Sequence, residues 1–300
     1  MRKLLVILFA AVVTSVATAQ KPIIIPASHS GADEVVENLW NNSTAPHSNG
    51  ITADECINEK YELTNTTQTD LYIYKADPAL ATGQAVVVVP GGGYRKVCIE
   101  YDGFGVARYL RSIGITAIVV KYRLPNSHRE VPLEDVQQTM SYVRTNAAKW
   151  GIDPTQVGIL GSSAGGYLAA HVSTVTPDAD KPAFAILIYP VISGTTRSTH
   201  HGTFGNMLGQ NRTDAEQEYY SLENRVTPTT PPTLLLLADD DLTVPTISST
   251  RYYKALKYHG VKASMIVFPS GGHGWAGKED YHYAHPAQQA IADWLKIYRK

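Results

Sequence analysis

Residues 159–171 read Ile-Leu-Gly-Ser-Ser-Ala-Gly-Gly-Tyr-Leu-Ala-Ala-His, an apolar run that breaks into small residues and then resumes. Within it, Gly161-Ser162-Ser163-Ala164-Gly165 has the spacing Gly-x-Ser-x-Gly. Val157–Gly161 predicts a strand before the break, and Ala164–Thr174 predicts a helix after it. A serine on such a strand-to-helix turn stands at the end of a sheet, where its hydroxyl meets a carbonyl. Ser163 is therefore the candidate nucleophile. Ser162, at the variable position, is the weaker candidate. The same letters also form ordinary glycine-rich bends, so the flanking chain has to decide between the two readings.

Moving outward, apolar runs recur at Ala85–Pro90, Ile115–Tyr122, Ala183–Pro190, Thr233–Ala238 and Ala263–Phe268. Several are too continuously apolar for strands with one wet face. They fit the centre of a largely parallel sheet covered by helices on both sides. Helices are predicted near Tyr101–Ser112, Leu133–Ala148, Thr246–His259 and Pro286–Lys296. In the second of these, Val136, Met140 and Val143 mark an apolar face. The alternation describes one α/β domain over 58–300 with a mostly parallel central sheet. Tyr61–Asn65 and Asp70–Tyr74 read as an opening antiparallel pair. A polar entry segment at 20–57 precedes them. Thr195–Glu223 interrupts the rhythm, as a lid, a pocket wall or a surface excursion.

At the N-terminus, Arg2 and Lys3 precede a long apolar run, with Ala17 and Ala19 before Gln20. This is a signal-peptide pattern over 1–19, and it predicts a secreted or periplasmic protein without stable membrane insertion once the leader is removed. No second long apolar run supports a membrane domain. Formal charge is −1, so no strong nonspecific attraction to nucleic acid follows, and no nucleic-acid-reading motif stands out. Export permits a disulfide between the two cysteines, Cys56 and Cys98, and spacing leaves that pairing open. Two cysteines also fall short of a structural zinc ligand set.

Gly91–Gly93 follow the Ala85–Pro90 strand, and backbone N–H groups near Gly92 and Gly93, with that of Ala164, are candidate oxyanion donors. A phosphate loop is the other reading of such glycines, but the closing Lys-Ser/Thr is missing. The base candidate is His273, in the loop directly after the last predicted strand; His282 and His285 lie further along. Asp239, Asp240 and Asp241 all follow the Thr233–Ala238 strand, and each is able to orient the base. The resulting order is serine, aspartate, histidine.

Together these features resemble the α/β-hydrolase superfamily, in particular secreted bacterial carbohydrate esterases of the acetyl-xylan and feruloyl esterase type. The resemblance rests on Pro-Gly-Gly-Gly-Tyr at 90–94, Gly-Ser-Ser-Ala-Gly-Gly at 161–166, Asp-Leu-Thr-Val-Pro at 241–245 and Gly-Gly-His-Gly-Trp at 271–275. It implies a three-layer α/β-hydrolase fold with Ser163 as nucleophile, His273 as base and Asp241 as the acid among the three aspartates. It also implies serine-dependent hydrolysis of acyl esters on a plant polysaccharide or oligosaccharide, acetylated xylan first, with no metal or organic cofactor. Feruloyl or general carboxylesters, amides and non-catalytic carbohydrate binding are the alternatives. Tyr94, Arg123 and Trp275 are substrate-binding candidates by position. Each also has a structural reading: a core tyrosine, a buried ion pair and a buried tryptophan. Where relatives begin the glycine loop with His-Gly-Gly, this chain has Pro90-Gly91-Gly92.

Overall fold

Runs of β-branched and aliphatic residues, which pack well on a pleated surface, build the centre of an eight-stranded sheet. The computed structural model describes residues 21–195 and 199–299; the leader expected at 1–19 lies outside them. The strands are β1 (Glu34–Asn41), β2 (Gln68–Tyr74), β3 (Ala85–Val89), β4 (Thr116–Lys121), β5 (Val157–Ser162), β6 (Ala185–Ile188), β7 (Thr233–Ala238) and β8 (Ala263–Phe268). Their spatial order is β1-β2-β4-β3-β5-β6-β7-β8. β2 runs antiparallel to both β1 and β4, and every other neighbouring pair is parallel. β3, β4 and β5 are buried along their whole lengths. Burying each Val or Ile there contributes roughly 1.5–3 kcal/mol relative to exposure, which explains why these strands show no polar alternation.

The main helices are α1 (Val106–Ser112), α2 (Glu130–Thr145), α3 (Ser163–Val175), α4 (His201–Leu208), α5 (Asp214–Tyr219), α6 (Ile247–Tyr258) and α7 (Ala284–Ile297). The Tyr109 hydroxyl of α1 donates to the Gln288 carbonyl of α7, while α2 packs on α3. Helices flank the sheet to give a three-layer α/β-hydrolase architecture. The carboxyl ends of β3, β5, β7 and β8 share one edge, so the loops after them converge.

One expectation is corrected, and the open question of the cysteines is answered. The antiparallel partners of β2 are β1, from the entry segment, and β4, and not Tyr61–Asn65. β1 has eight residues and β2 seven, whereas Glu62–Thr64 is three residues long and joins a small side sheet with Cys56–Ile57 and Val97–Cys98. The entry segment is tied down further by a buried cation: Lys121 meets Glu55 at 2.8 Å and Asp70 at 2.6 Å. The same side sheet rules out the disulfide. Glu62–Thr64 runs between the strands holding Cys56 and Cys98, so two strand spacings, about 10 Å, separate residues that a bridge needs within roughly 7 Å. Both thiols are free.

Candidate active site

β5 ends at Ser162 and α3 begins at Ser163, whose φ of 54° places a non-glycine residue in the left-handed region. Such a conformation costs about 1–3 kcal/mol and persists only where its surroundings enforce it. They do so here through close packing. A Cβ on Gly161 would lie 2.2 Å from the Gly165 carbonyl oxygen, and one on Gly165 would lie 2.2 Å from that of Val89. The first turn of α3 therefore sits directly against the ends of β5 and β3. The Val191 N–H donates to the Ser163 carbonyl at 3.0 Å and closes the bend. Ser162 is fully buried. Its hydroxyl adjoins the Asp102 carboxyl without meeting hydrogen-bond geometry.

The loop after β8 brings His273 over this turn, with Nε2 2.8 Å from Ser163 Oγ. Its Nδ1 lies 2.6 Å from Asp241 Oδ2. An ionised carboxylate only accepts, so Nδ1 carries the proton and Nε2 presents its lone pair to the serine hydroxyl. Asp241 is buried, and its other oxygen accepts the Thr243 and Val244 N–H groups, both at 2.9 Å. The neighbouring aspartate acts on the main chain instead, where Asp240 Oδ1 accepts the Gly272 N–H at 2.7 Å and grips the backbone beside His273. These backbone donors from Gly272 and Gly271 hold the Asp240 carboxyl below its ordinary range.

Gly92, Gly93 and Ser163 line one cavity with His273. Among the described residues, no acceptor takes the N–H of Gly92, Gly93 or Ala164, while the Gly91 N–H is occupied by Asp102 Oδ2 at 3.1 Å. Gly92 and Gly93 line the cavity that holds Ser163, and Ala164 directly follows that serine on the first turn of α3. Asn206 of α4 donates to the Gly93 carbonyl at 2.9 Å, and His200 and Gly202 join the lining. The segment after β6 is thus a pocket wall.

Sequence reasoning missed Asp102, which lies in the helical turn before α1. Its Oδ1 accepts from the Tyr189 hydroxyl at 3.3 Å, and that hydroxyl accepts the Ala276 N–H at 2.8 Å. Tyr189 also packs its ring 4.5 Å from the His273 ring. Asp102 therefore joins the glycine loop to the histidine loop behind the serine. Burial pushes its carboxyl above the ordinary range, partly offset by Ser162 and the Gly91 N–H. His200 is shifted down by burial and, secondly, by His273.

The three substrate-binding candidates are corrected, because none lines the cavity. Tyr94 is 2% exposed, wedged edge-on between Tyr122 and Tyr167. Arg123 is fully buried and grips Asp135 through Nε and Nη2, at 2.9 and 2.7 Å. Trp275 is 5% exposed and stacks on Tyr281 with a 4.5 Å centroid separation. Adjacency to a motif placed all three near the site, but their side chains turn into the core.

Comparison with known proteins adds four findings. A family model described as alpha/beta hydrolase fold matches residues 86–277. The acetylxylan esterase of Xylanibacter ruminicola is 38% identical over 223 residues, covering 73% of this chain and 46% of that protein. The chain thus spans under half of that curated relative's length. The crystal structure of an acetyl ester-xyloside bifunctional hydrolase from Caldicellulosiruptor lactoaceticus superposes with a TM-score of 0.74 at 31% identity, covering 88% of this chain and 96% of that one. At greater distance, an acylamino-acid-releasing enzyme of Oryza sativa is 27% identical over 65% of this chain and 28% of its own length.

Proposed function

The chain belongs to the α/β-hydrolase family, and from that membership we propose that it is a serine esterase removing acyl groups, acetyl foremost, from xylan or xylo-oligosaccharides. The observation that carries this reading is the unbroken Asp241–His273–Ser163 hydrogen-bond chain opening into a cavity of about 580 Å³. The names of the Xylanibacter and Caldicellulosiruptor relatives support acetylated xylan-type substrates.

In the proposed reaction, Ser163 Oγ attacks the ester carbonyl carbon as His273 Nε2 takes its proton. Asp241 holds the imidazole in register and stabilises the imidazolium. The carbonyl oxygen becomes an anion facing the N–H groups of Gly92, Gly93 and Ala164. These donors are fixed before reaction, so they reorganise little as charge develops. Collapse breaks the bond to the sugar oxygen, which leaves with the proton from His273. Water, deprotonated by His273, then attacks the acyl-enzyme; the second collapse returns the proton to Ser163 and releases the carboxylic acid.

The leader pattern at 1–19 supports a secreted or periplasmic location. No helix among the described residues is long and apolar enough to cross a membrane.

The test compares acetylated xylo-oligosaccharide, feruloylated xylo-oligosaccharide, a simple acetyl ester and an N-acetylated peptide, with Ser163→Ala alongside. Rapid acetate release from the oligosaccharide, abolished in the variant, is the expected result. Faster turnover of the feruloyl ester or the peptide transfers the assignment to that class. Equal acetate release by wild type and Ser163→Ala removes Ser163 from the chemistry.

A further inference from the structure

Cations gather at the mouth of the Ser163–His273 cavity from three separate segments. Lys60 comes from the turn between Cys56–Ile57 and Glu62–Thr64 of the side sheet, Arg95 from the glycine loop and Lys278 from the chain just after the histidine loop. A fourth, Lys96, is neutralised by Glu62 at 2.7 Å. Lys60, Arg95 and Lys278 have no carboxylate within ion-pair distance among the described residues. Unpaired cations also occur away from this cavity, Lys254, Lys257 and Lys262 among them, so the feature here is the grouping of three on one lining. The cavity lining sets Lys60, Arg95, Lys96 and Lys278 against Glu62 and Asp102, which makes it locally basic in a chain of net charge −1.

Beside these cations stands an exposed aromatic ring. Tyr101 is 47% exposed, with Lys278 Nζ 5.2 Å from its ring centroid. The two segments holding them are locked together: a Cβ on Gly277, whose φ is 66°, would lie 2.0 Å from the Tyr101 carbonyl oxygen. Lys60, Tyr101 and Lys278 also border a second depression, of about 1040 Å³, adjoining the first; Arg108, Glu279 and Asp280 line it too. The serine cavity therefore continues past this trio instead of ending there.

Building on the esterase reading above, we propose that Tyr101, Lys60 and Lys278 form a subsite for a uronic acid residue next to the acylated sugar. The preferred substrate is then an acyl ester on an acidic oligosaccharide. A pyranose face, lined with C–H groups, packs on an aromatic ring, and the two ammonium groups flank the position its carboxylate takes. Exposed lysines of this kind act through long-range attraction and orientation, so their effect falls as salt screens them.

The test uses acetylated xylo-oligosaccharides of equal length, with and without a uronic acid branch, and reads the ratio of their kcat/KM values. In low salt the acidic substrate is expected to be favoured by about tenfold, shrinking severalfold at about 0.5 M salt. Lys60→Gln with Lys278→Gln brings the ratio toward one, and Lys60→Glu with Lys278→Glu inverts it. Tyr101→Ala raises KM for both substrates. A wild-type ratio near one, with the neutral substrate turning over, overturns the subsite and leaves the esterase reading standing. A ratio unchanged by the double charge reversal overturns it equally. Failure to hydrolyse either substrate, with Ser163 intact, overturns the esterase reading itself.

Discussion

The Asp102 carboxylate accepts the Gly91 N–H at 3.1 Å, so a side chain from the turn before α1 fixes the loop whose next two residues line the serine's cavity. Through Tyr189 and Ala276 the same carboxylate reaches the histidine loop. Asp102 touches no reacting atom in this arrangement; it positions two loops that do. Asp102→Ala is expected to lower kcat by about 10- to 100-fold with KM nearly unchanged, because misplacing donors affects the transition state more than the ground state. Asp102→Asn keeps one acceptor and is expected to recover part of the loss. A full kcat in Asp102→Ala would remove this role.

Adjacent aspartates give a sharper contrast. Asp241→Asn turns an acceptor into a donor facing His273 Nδ1 and favours the wrong tautomer, so kcat is expected to fall about 10³- to 10⁴-fold. Asp240→Asn, at a side chain that holds the loop backbone and not the imidazole, is expected to cost about tenfold. Steady-state kinetics on a simple acetyl ester measures both. Equal losses would contradict the division of labour between them.

Arg123 is expected to matter for stability and not for turnover. Arg123→Ala leaves Asp135 buried without its cation, and breaking such a pair costs about 3–5 kcal/mol. Urea unfolding should show that loss while active-site-titrated kcat stays near wild type. A stable variant with poor turnover would return Arg123 to a substrate role.

His171, buried on α3 between Tyr167 and Tyr220, provides a pH signature. Burial, with a smaller contribution from Arg225, lowers its pKa to about 4. Between pH 6.5 and 4 the unfolded chain binds a proton there that the native state refuses. This stabilisation is therefore complete above pH 6.5 and fades as pH falls, levelling off below about 4. The loss by pH 5 is on the order of 2 kcal/mol. Unfolding free energies at pH 7 and pH 5 should differ less in His171→Gln by about that amount. Identical pH slopes would contradict this.

The sheet was readable because its central strands are buried on both faces and so are continuously apolar. β1 was not. It is a half-exposed edge strand whose Glu-Val-Val-Glu-Asn-Leu-Trp-Asn composition carries little strand signal. Glu62–Thr64 misled for the opposite reason, resembling a strand long enough to pair with β2. The meeting of Ser163, Asp241 and His273 was legible because each follows a strand at one end of the sheet. What that position does not encode is side-chain direction. Tyr94 has a φ of 59° and turns inward, and Arg123 and Trp275 point into the core from motif-adjacent positions. Asp102 left no local signal at all. It is one acidic residue in an amphipathic stretch, and its importance comes from contacts with chain far away in sequence.

Asp240 and Asp241 attach the histidine loop at two points, one on its backbone and one on its imidazole. Two anchors on consecutive residues resist rotation as well as translation, as a bracket with two bolts does. For anyone transplanting this loop, the unit of exchange is therefore not 270–275 alone but that segment together with 238–244. A graft that shifts the aspartate turn by one residue would set Asp240 at the imidazole with Asp239 at the backbone or, in the other direction, Asp241 at the backbone with Leu242 facing the imidazole.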